Sequence, residues 1–334
     1  MSVLRVAVVG VGHLGKIHAK IYAANPRCEL AYVVDVSEEA ARAVAEEHGA
    51  QALTTPGDLP DDVDAVSVVV PTTEHARVAI PLLQRGIPCL VEKPLATNLE
   101  EADRLLAAAE RGGARVAVGH VERFQPGVRK LGELGLQPRF IECHRLTRFS
   151  FRAMDVGVVH DLMIHDLDLV LHLVQSEVES VDAAGGRILT ASEDLASVRL
   201  VFRNGARANV TASRVSLAPM RRFRMFSASS YVSLDFAENH GLMVRKSAGW
   251  DEGLRALHTL DPAALAARPD FVNKGLLDTV ELALEGEERP LQAELDSFLA
   301  SVQEGREPEV TGVVGRRALA LADQIRSKIR EQAW

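Results

Sequence analysis

A run of mostly apolar residues, Leu4-Arg5-Val6-Ala7-Val8-Val9, passes directly into Gly10-Val11-Gly12-His13-Leu14-Gly15 and then into a helical stretch reaching about Ala24. Strand, G-x-G-x-x-G and helix in that order leave few folds open. Gly10 permits the tight turn off the strand, Gly12 lets the backbone approach a pyrophosphate, and Gly15 lets the helix pack on the sheet with its free N–H groups facing the anion. A second strand, Leu30-Ala31-Tyr32-Val33-Val34, ends at Asp35, about twenty residues further on, where a carboxylate accepts hydrogen bonds from adenosine ribose hydroxyls. The same carboxylate repels a 2′-phosphate, and Val36, Ser37 and Glu38 supply no arginine to hold one. NAD is therefore expected rather than NADP. A glycine-rich turn in some other α/β protein would explain the three glycines but not Asp35 with them.

Strands and helices keep alternating through the first third: helix 38–48, strand 65–70, helix 74–85, strand 89–92, helix 98–111 and strand 115–119. This pattern predicts a parallel sheet with helices on both faces. Thr97 with Glu100 reads as a capping box for the helix at 98–111, and Gly119 as a sharp exit from the last strand. Pro71 and Pro94 each follow a strand and stop the sheet where a ligand crevice is expected. After about residue 121 the helices drop out and strands read at 140–146, 178–183, 196–202, 206–212 and 231–236, with Asn204-Gly205 as a tight hairpin. Helices at 158–174, 295–303 and 315–330 complete the chain. The fold class expected is α/β: a Rossmann dinucleotide-binding domain over 1–121, then an α+β domain over 122–334 with an open, mainly antiparallel sheet.

With 334 residues, 47% of them hydrophobic, the chain can bury a core large enough for two domains. A net charge of −8 argues against a general nucleic-acid or membrane-surface role. Cys28, Cys89 and Cys143 have no zinc or redox spacing, which points to a reducing cytosol. No signal core and no membrane-spanning stretch is read, so a soluble cytoplasmic protein is expected.

Two segments carry the chemistry. Leu90-Val91-Glu92-Lys93-Pro94 delivers a lysine and a rigid turn to the open edge of the first sheet, in a chain where Arg greatly outnumbers Lys. His160-Asp161-Leu162-Met163-Ile164-His165-Asp166-Leu167-Asp168 sets ionisable groups into an apolar helix, with Asp161 and His165 four apart on one face. Such groups need partners or a function. An ion-paired cluster at a domain interface is one reading. A metal site is another, although no H-E-x-x-H arrangement or matching distant ligand accompanies it, and none is expected. A third is alcohol oxidation, in which hydride leaves carbon for a nicotinamide while a base takes the hydroxyl proton. An imidazole such as His165 suits that base, Lys93 can hydrogen-bond the same oxygen or relay its proton, and Asp161 can orient His165 or hold a neighbouring hydroxyl.

The combination Gly10-x-Gly12-x-x-Gly15, Glu92-Lys93-Pro94 and Asp161-x-x-x-His165 resembles the Gfo/Idh/MocA oxidoreductase family, over the full chain. The resemblance implies an NAD cofactor held by Gly10, Gly12, Leu14, Gly15, Asp35, Glu92 and Lys93, with Pro71, Thr72 and His75 in a loop lining the cofactor cleft. His13, inside the glycine loop, either touches cofactor phosphate or is merely exposed, and exposure is the preferred reading. It implies catalysis by Lys93, His165 and Asp161. The second domain is then an open sheet for the sugar and for homodimer or homotetramer contacts. The stretches 118–126, 157–168 and 211–216 are similar to a subgroup acting on UDP-N-acetylglucosamine. The implied reaction is oxidation of its 3-hydroxyl to a 3-keto sugar, on the way to lipid A-type amino sugars. Gln125 and His160 depart from that subgroup's usual residues. A UDP-uronic acid, free sugar or inositol as substrate, and an NAD-binding sensor without turnover, are the alternatives.

Arg145, Arg148 and Arg152 ahead of the 158–174 helix, and Arg214, Arg221, Arg222 and Arg224 after the hairpin, suggest a clamp for a nucleotide-sugar pyrophosphate, because guanidinium groups bind its oxygens in pairs. Solvated surface is the plain alternative. Arg123 and Phe124 are candidates for the nicotinamide and substrate pocket, or for packing at the hinge.

Overall fold

The computed structural model describes residues 3–150, 156–259, 276–284 and 289–332, and Arg152 lies outside them. The chain divides into two compact units, Met1–Phe124 with Glu288–Asp323, and Gln125–Glu287 with Gln324–Trp334.

The first unit is a six-stranded parallel sheet in the order β3-β2-β1-β4-β5-β6. Its elements are β1 (Leu4–Val9), α1 (His13–Ala23), β2 (Cys28–Val34), α2 (Glu38–His48), β3 (Gln51–Leu53), β4 (Ala65–Val68), α3 (His75–Gln84), β5 (Cys89–Glu92), α4 (Leu99–Gly112) and β6 (Val116–Gly119). Side chains alternate across the sheet: Ala7, Val9, Val66, Val68, Val91 and Val118 enter one core, while Val6, Val8, Ala65, Leu90 and Ala117 enter the other. Burial on both faces is why these strands read as unbroken apolar runs. The N-cap of α4 is Asn98, one residue later than expected, and the return bond goes to Thr97 before it. Asn98 Oδ1 accepts the Glu101 N–H at 2.9 Å, and the Glu101 carboxylate accepts from the Thr97 hydroxyl at 2.5 Å.

The tail rejoins this unit instead of staying with the second. Helix α8 (Pro290–Glu304) sets Leu295, Phe298 and Leu299 beside Ala19 and Tyr22 of α1, on one of the two cores. Burying each such side chain contributes about 1.5–3 kcal/mol. Helix α9 (Gly312–Glu331) comes against β6 at Gly312 and Gly315, where an added Cβ would lie 2.6 Å from Leu106 and from Val118.

The second unit is an eight-stranded sheet in the order β14-β13-β12-β11-β7-β10-β9-β8. Its strands are β7 (Phe140–Leu146), β8 (Val178–Gly186), β9 (Leu195–Phe202), β10 (Arg207–Ser213), β11 (Met220–Phe226), β12 (Ser230–Asp235), β13 (His240–Lys246) and β14 (Leu277–Ala283). Only the β7–β10 pair is parallel among the described strands. Gly205 takes φ +82° in the β9–β10 hairpin, where Asn204 Oδ1 accepts the Ala206 N–H. Helix α5 (Pro126–Glu133) precedes the sheet, α6 (Ile164–Val174) covers its apolar face and α7 (Trp250–Thr259) follows β13. No helix among the described residues is long and apolar enough to cross a membrane.

Candidate active site

In the first unit, the strand order reverses between β1 and β4, and there a cleft of about 790 Å³ opens at the C-terminal ends of the strands. Gly10, Gly12 and Leu14 line it from the turn after β1. Gly10 takes φ +90°, a conformation that favours glycine, and a Cβ there would fall 2.7 Å from the Val69 carbonyl oxygen. Gly12 is exposed with open space around it, and no side chain caps the N-terminus of α1. The first N–H groups of the helix therefore remain available to an anion. Gly15 lies behind the turn, packed on the Gly10 carbonyl, and His13 is exposed on the first turn of α1, outside the cleft lining.

Asp35 stands at the end of β2 with its carboxylate aimed by two backbone donors, the Val11 N–H at 2.8 Å and the Ser37 N–H at 2.9 Å. A carboxylate has acceptor capacity for more than two donors, so ribose hydroxyls can still be received. A bare helix N-terminus for the pyrophosphate and a fixed carboxylate for the ribose fit a bound dinucleotide. Thr54, Thr55 and Pro56 add a wall that the sequence reading missed, because the three-residue strand before them is too short to show a period.

Pro71, Thr72 and His75 line the opposite wall, with Glu92 and Lys93 at the end of β5. The buried His75 ring bridges two loops: Nδ1 is 3.0 Å from the Pro94 carbonyl oxygen and Nε2 is 3.0 Å from that of Val70. Burial pulls its pKa below the ordinary 6.5, against the opposing pull of the two carbonyls and the Glu92 charge. The unfolded chain therefore takes up this proton first as pH falls. The stabilisation is complete above the ordinary value and is lost on acidification from there through the folded value. His75→Gln is expected to flatten the decline in thermal midpoint between about pH 7 and pH 5. Parallel melting curves for both proteins would show no such role for His75.

Lys93 is half-buried. Arg123 and Phe124, in the turn Val121–Phe124, are buried, and Phe124 joins the core with Leu95 and Ala293. Gly119 is the centre of the tight exit from β6, where the His120 N–H reaches the Val118 carbonyl at 2.8 Å, and its bare Cα also faces the Glu92 carboxyl, from which a Cβ would sit 2.8 Å.

In the second unit, the segment expected as one helix starts as a π turn, Val159–Met163, closed by the Ile164 N–H to the Val159 carbonyl, and only then becomes α6. Asp161 lies on the π turn and His165 on α6, so their four-residue spacing is not that of a uniform α-helix. Single π turns recur at functional sites, and periodicity does not reveal them. Both side chains are half-buried. The start of this segment rests on Glu193, whose backbone carbonyl accepts the Val158 N–H at 2.9 Å and whose carboxylate accepts from Val159 at 3.4 Å.

Arg145 on β7 holds α6 through Asp166, with Nε at 2.8 Å and Nη2 at 2.9 Å, both side chains buried. Removing one partner of such a pair costs about 3–5 kcal/mol. Arg214 is also buried, donating to the Val156 carbonyl and lying 3.8 Å from Asp194. Arg222 and Arg224 pair with Asp235 and Glu142 on adjacent strands, and Arg221 lies over the Phe236 ring. A clamp drawn from the whole arginine set is therefore corrected. The alternation Arg222-Phe223-Arg224-Met225 is strand period, with Phe223 and Met225 buried. Arg148 stays exposed and donates to the Leu217 carbonyl.

Among the described residues, no group of three or more His, Cys, Asp or Glu gathers as a metal site. Burial pushes the thiols of Cys28, Cys89 and Cys143 up, Cys28 to about 12, so none is a ready nucleophile.

Residues 4–120 match the GFO/IDH/MocA oxidoreductase family with NAD-binding Rossmann fold, and residues 103–228 match the GFO/IDH/MocA C-terminal domain. UDP-N-acetylglucosamine 3-dehydrogenase of Acidithiobacillus ferrooxidans is 38% identical over 97% of this chain and 96% of its own. A crystal structure of that enzyme superposes with a TM-score of 0.85, at 36% identity and covering 99% of both chains. Myo-inositol 2-dehydrogenase of Thermotoga maritima is 26% identical over 98% of this chain and 97% of its own.

Proposed function

We propose, since this chain belongs to the GFO/IDH/MocA family of NAD-binding oxidoreductases, that it oxidises the 3-hydroxyl of UDP-N-acetylglucosamine to the 3-keto sugar. The observation that carries the substrate is the 38% identity with UDP-N-acetylglucosamine 3-dehydrogenase, which runs through both units and not through the cofactor sheet alone. The product is a ketone suited to amination, as in amino sugars of the lipid A type.

NAD, when bound, supplies the acceptor for the hydride that leaves the sugar carbon. The chain's own groups deal with the proton and the orientation. His165 takes the hydroxyl proton as the C–H electron pair departs, a role for which the imidazole group is suited. Lys93 donates a hydrogen bond to the same oxygen, easing loss of its proton. Asp161 orients the imidazole or holds an adjacent hydroxyl. Of the arginines, the exposed Arg148 is the remaining candidate for a contact with the nucleotide part, since Arg214 is buried against Asp194 and the Val156 carbonyl.

NADH formation is measured with UDP-N-acetylglucosamine, its uronic acid, free glucose and inositol, each with an aminotransferase present to draw off a keto product. Turnover is expected with UDP-N-acetylglucosamine, and UDP is expected to compete with it. Turnover confined to inositol or glucose, or indifference to UDP, would overturn the assignment.

A further inference from the structure

The sheet-facing stripe of α1 consists of Gly15, His18, Ala19 and Tyr22, all buried. Small or aromatic residues suit that stripe, whereas an imidazole there is anomalous unless something answers it. His18 is completely buried, and its Nε2 lies 3.3 Å from Oε1 of Glu92, within ion-pair distance though not aligned as a full hydrogen bond. The other carboxylate oxygen, Oε2, accepts the Lys93 N–H at 3.2 Å. Beneath it the bare Cα of Gly119 leaves room for the carboxyl, as any Cβ there would come within 2.8 Å of its carbon and both oxygens. Glu92 is thus held on three sides, by α1, by the start of the Lys93 turn and by β6, and it lines the cofactor cleft beside Lys93.

We propose that His18 is a positioning residue for Lys93: by holding Glu92 against Gly119 it fixes the oxygen that receives the Lys93 N–H, and so sets the direction in which the lysine leaves β5. The helix that offers its N-terminus to the pyrophosphate is then the helix that steers the lysine. This rests on the reading of Lys93 as a group acting in alcohol oxidation, while its physical content, the placement of one amine, is measurable without a substrate.

Three full-length variants decide it. His18→Leu keeps the bulk and removes the polar Nε2 contact with Glu92, His18→Gln keeps a polar group at about the same reach, and Gly119→Ala displaces Glu92 without touching His18. The first readout is the rate at which trinitrobenzenesulfonate modifies Lys93, followed by peptide mass spectrometry. A severalfold change is expected in His18→Leu and Gly119→Ala, and near-unchanged reactivity in His18→Gln. The second is turnover at saturating NAD and UDP-N-acetylglucosamine, expected to fall about tenfold or more in His18→Leu, with the KM for NAD little altered and His18→Gln close to the unchanged protein. Lys93 reactivity that stays constant in both His18→Leu and Gly119→Ala overturns the proposal, as does a His18→Gln protein as impaired as His18→Leu. Should the unchanged protein oxidise none of the sugars, the substrate assignment falls, and the labelling alone decides the role of His18.

Discussion

Replacing Lys93 with alanine is expected to lower kcat at least about a hundredfold while leaving the dissociation constant for NAD nearly unchanged, and His165→Ala is expected to do the same. The two quantities separate because different atoms carry them. Affinity comes from the glycine turn, the uncapped N-terminus of α1 and the Asp35 carboxylate, none of which either substitution touches. Rate comes from removing a proton from a poor acid as hydride departs, and a well-placed acid or base contributes about 10²–10⁴-fold to such a step. Lys93 is half-buried, and its turn is tied back by the His75–Pro94 contact and by Glu92, so its placement is costly to reproduce from solvent. Stopped-flow NADH formation with NAD titrated separately measures both quantities. Near-normal turnover in either variant would remove that residue from the mechanism.

Substituting Gly15 with valine is expected to abolish NAD binding at micromolar cofactor and to lower the thermal midpoint sharply. The first added carbon would overlap the Gly10 carbonyl oxygen, which is backbone and has no rotamer through which to escape. Overpacking of ordinary side chains costs about 1–3 kcal/mol, and this clash belongs at or beyond the upper end. Helix α1 must then move off β1, taking its N–H groups away from the anion position. Gly12→Ala is the informative partner, because a Cβ there meets nothing within 4 Å. It should melt like the unchanged protein yet bind NAD more weakly, since its glycine serves the approach of a pyrophosphate and not the packing. Fluorescence titration with NADH beside thermal unfolding distinguishes the two. Equal melting of Gly15→Val and the unchanged protein would contradict the packing role.

What could be read in advance was local. Val8-Val9-Gly10 through Gly15, Asp35 after its strand, and Glu92-Lys93-Pro94 each carry their meaning within a few residues, and the structure sets them around one cleft. Features that depend on a distant partner stayed hidden. Leu295 and Phe298 look the same in a helix whichever core receives them, so the return of α8 to the first unit had no sequence signature. Gly119 reads only as a turn residue until Glu92, which also needs its bare Cα, is seen above it. The arginines of β11 drew a ligand explanation because Asp235 and Glu142, their cross-strand neighbours, are 13 and 82 residues away. His18 gave no signal in sequence, since the carboxylate it meets belongs to another strand.

The return of the tail also bears on biogenesis. A ribosome that has extruded residues 1–124 has released all six parallel strands but not Leu295, Phe298 and Leu299, which close one of the two cores. Domains emerging first generally fold first, but this one must wait behind the entire second module with an apolar face unsealed. Nascent chains stalled or truncated before Pro290 would therefore be natural clients for a holdase.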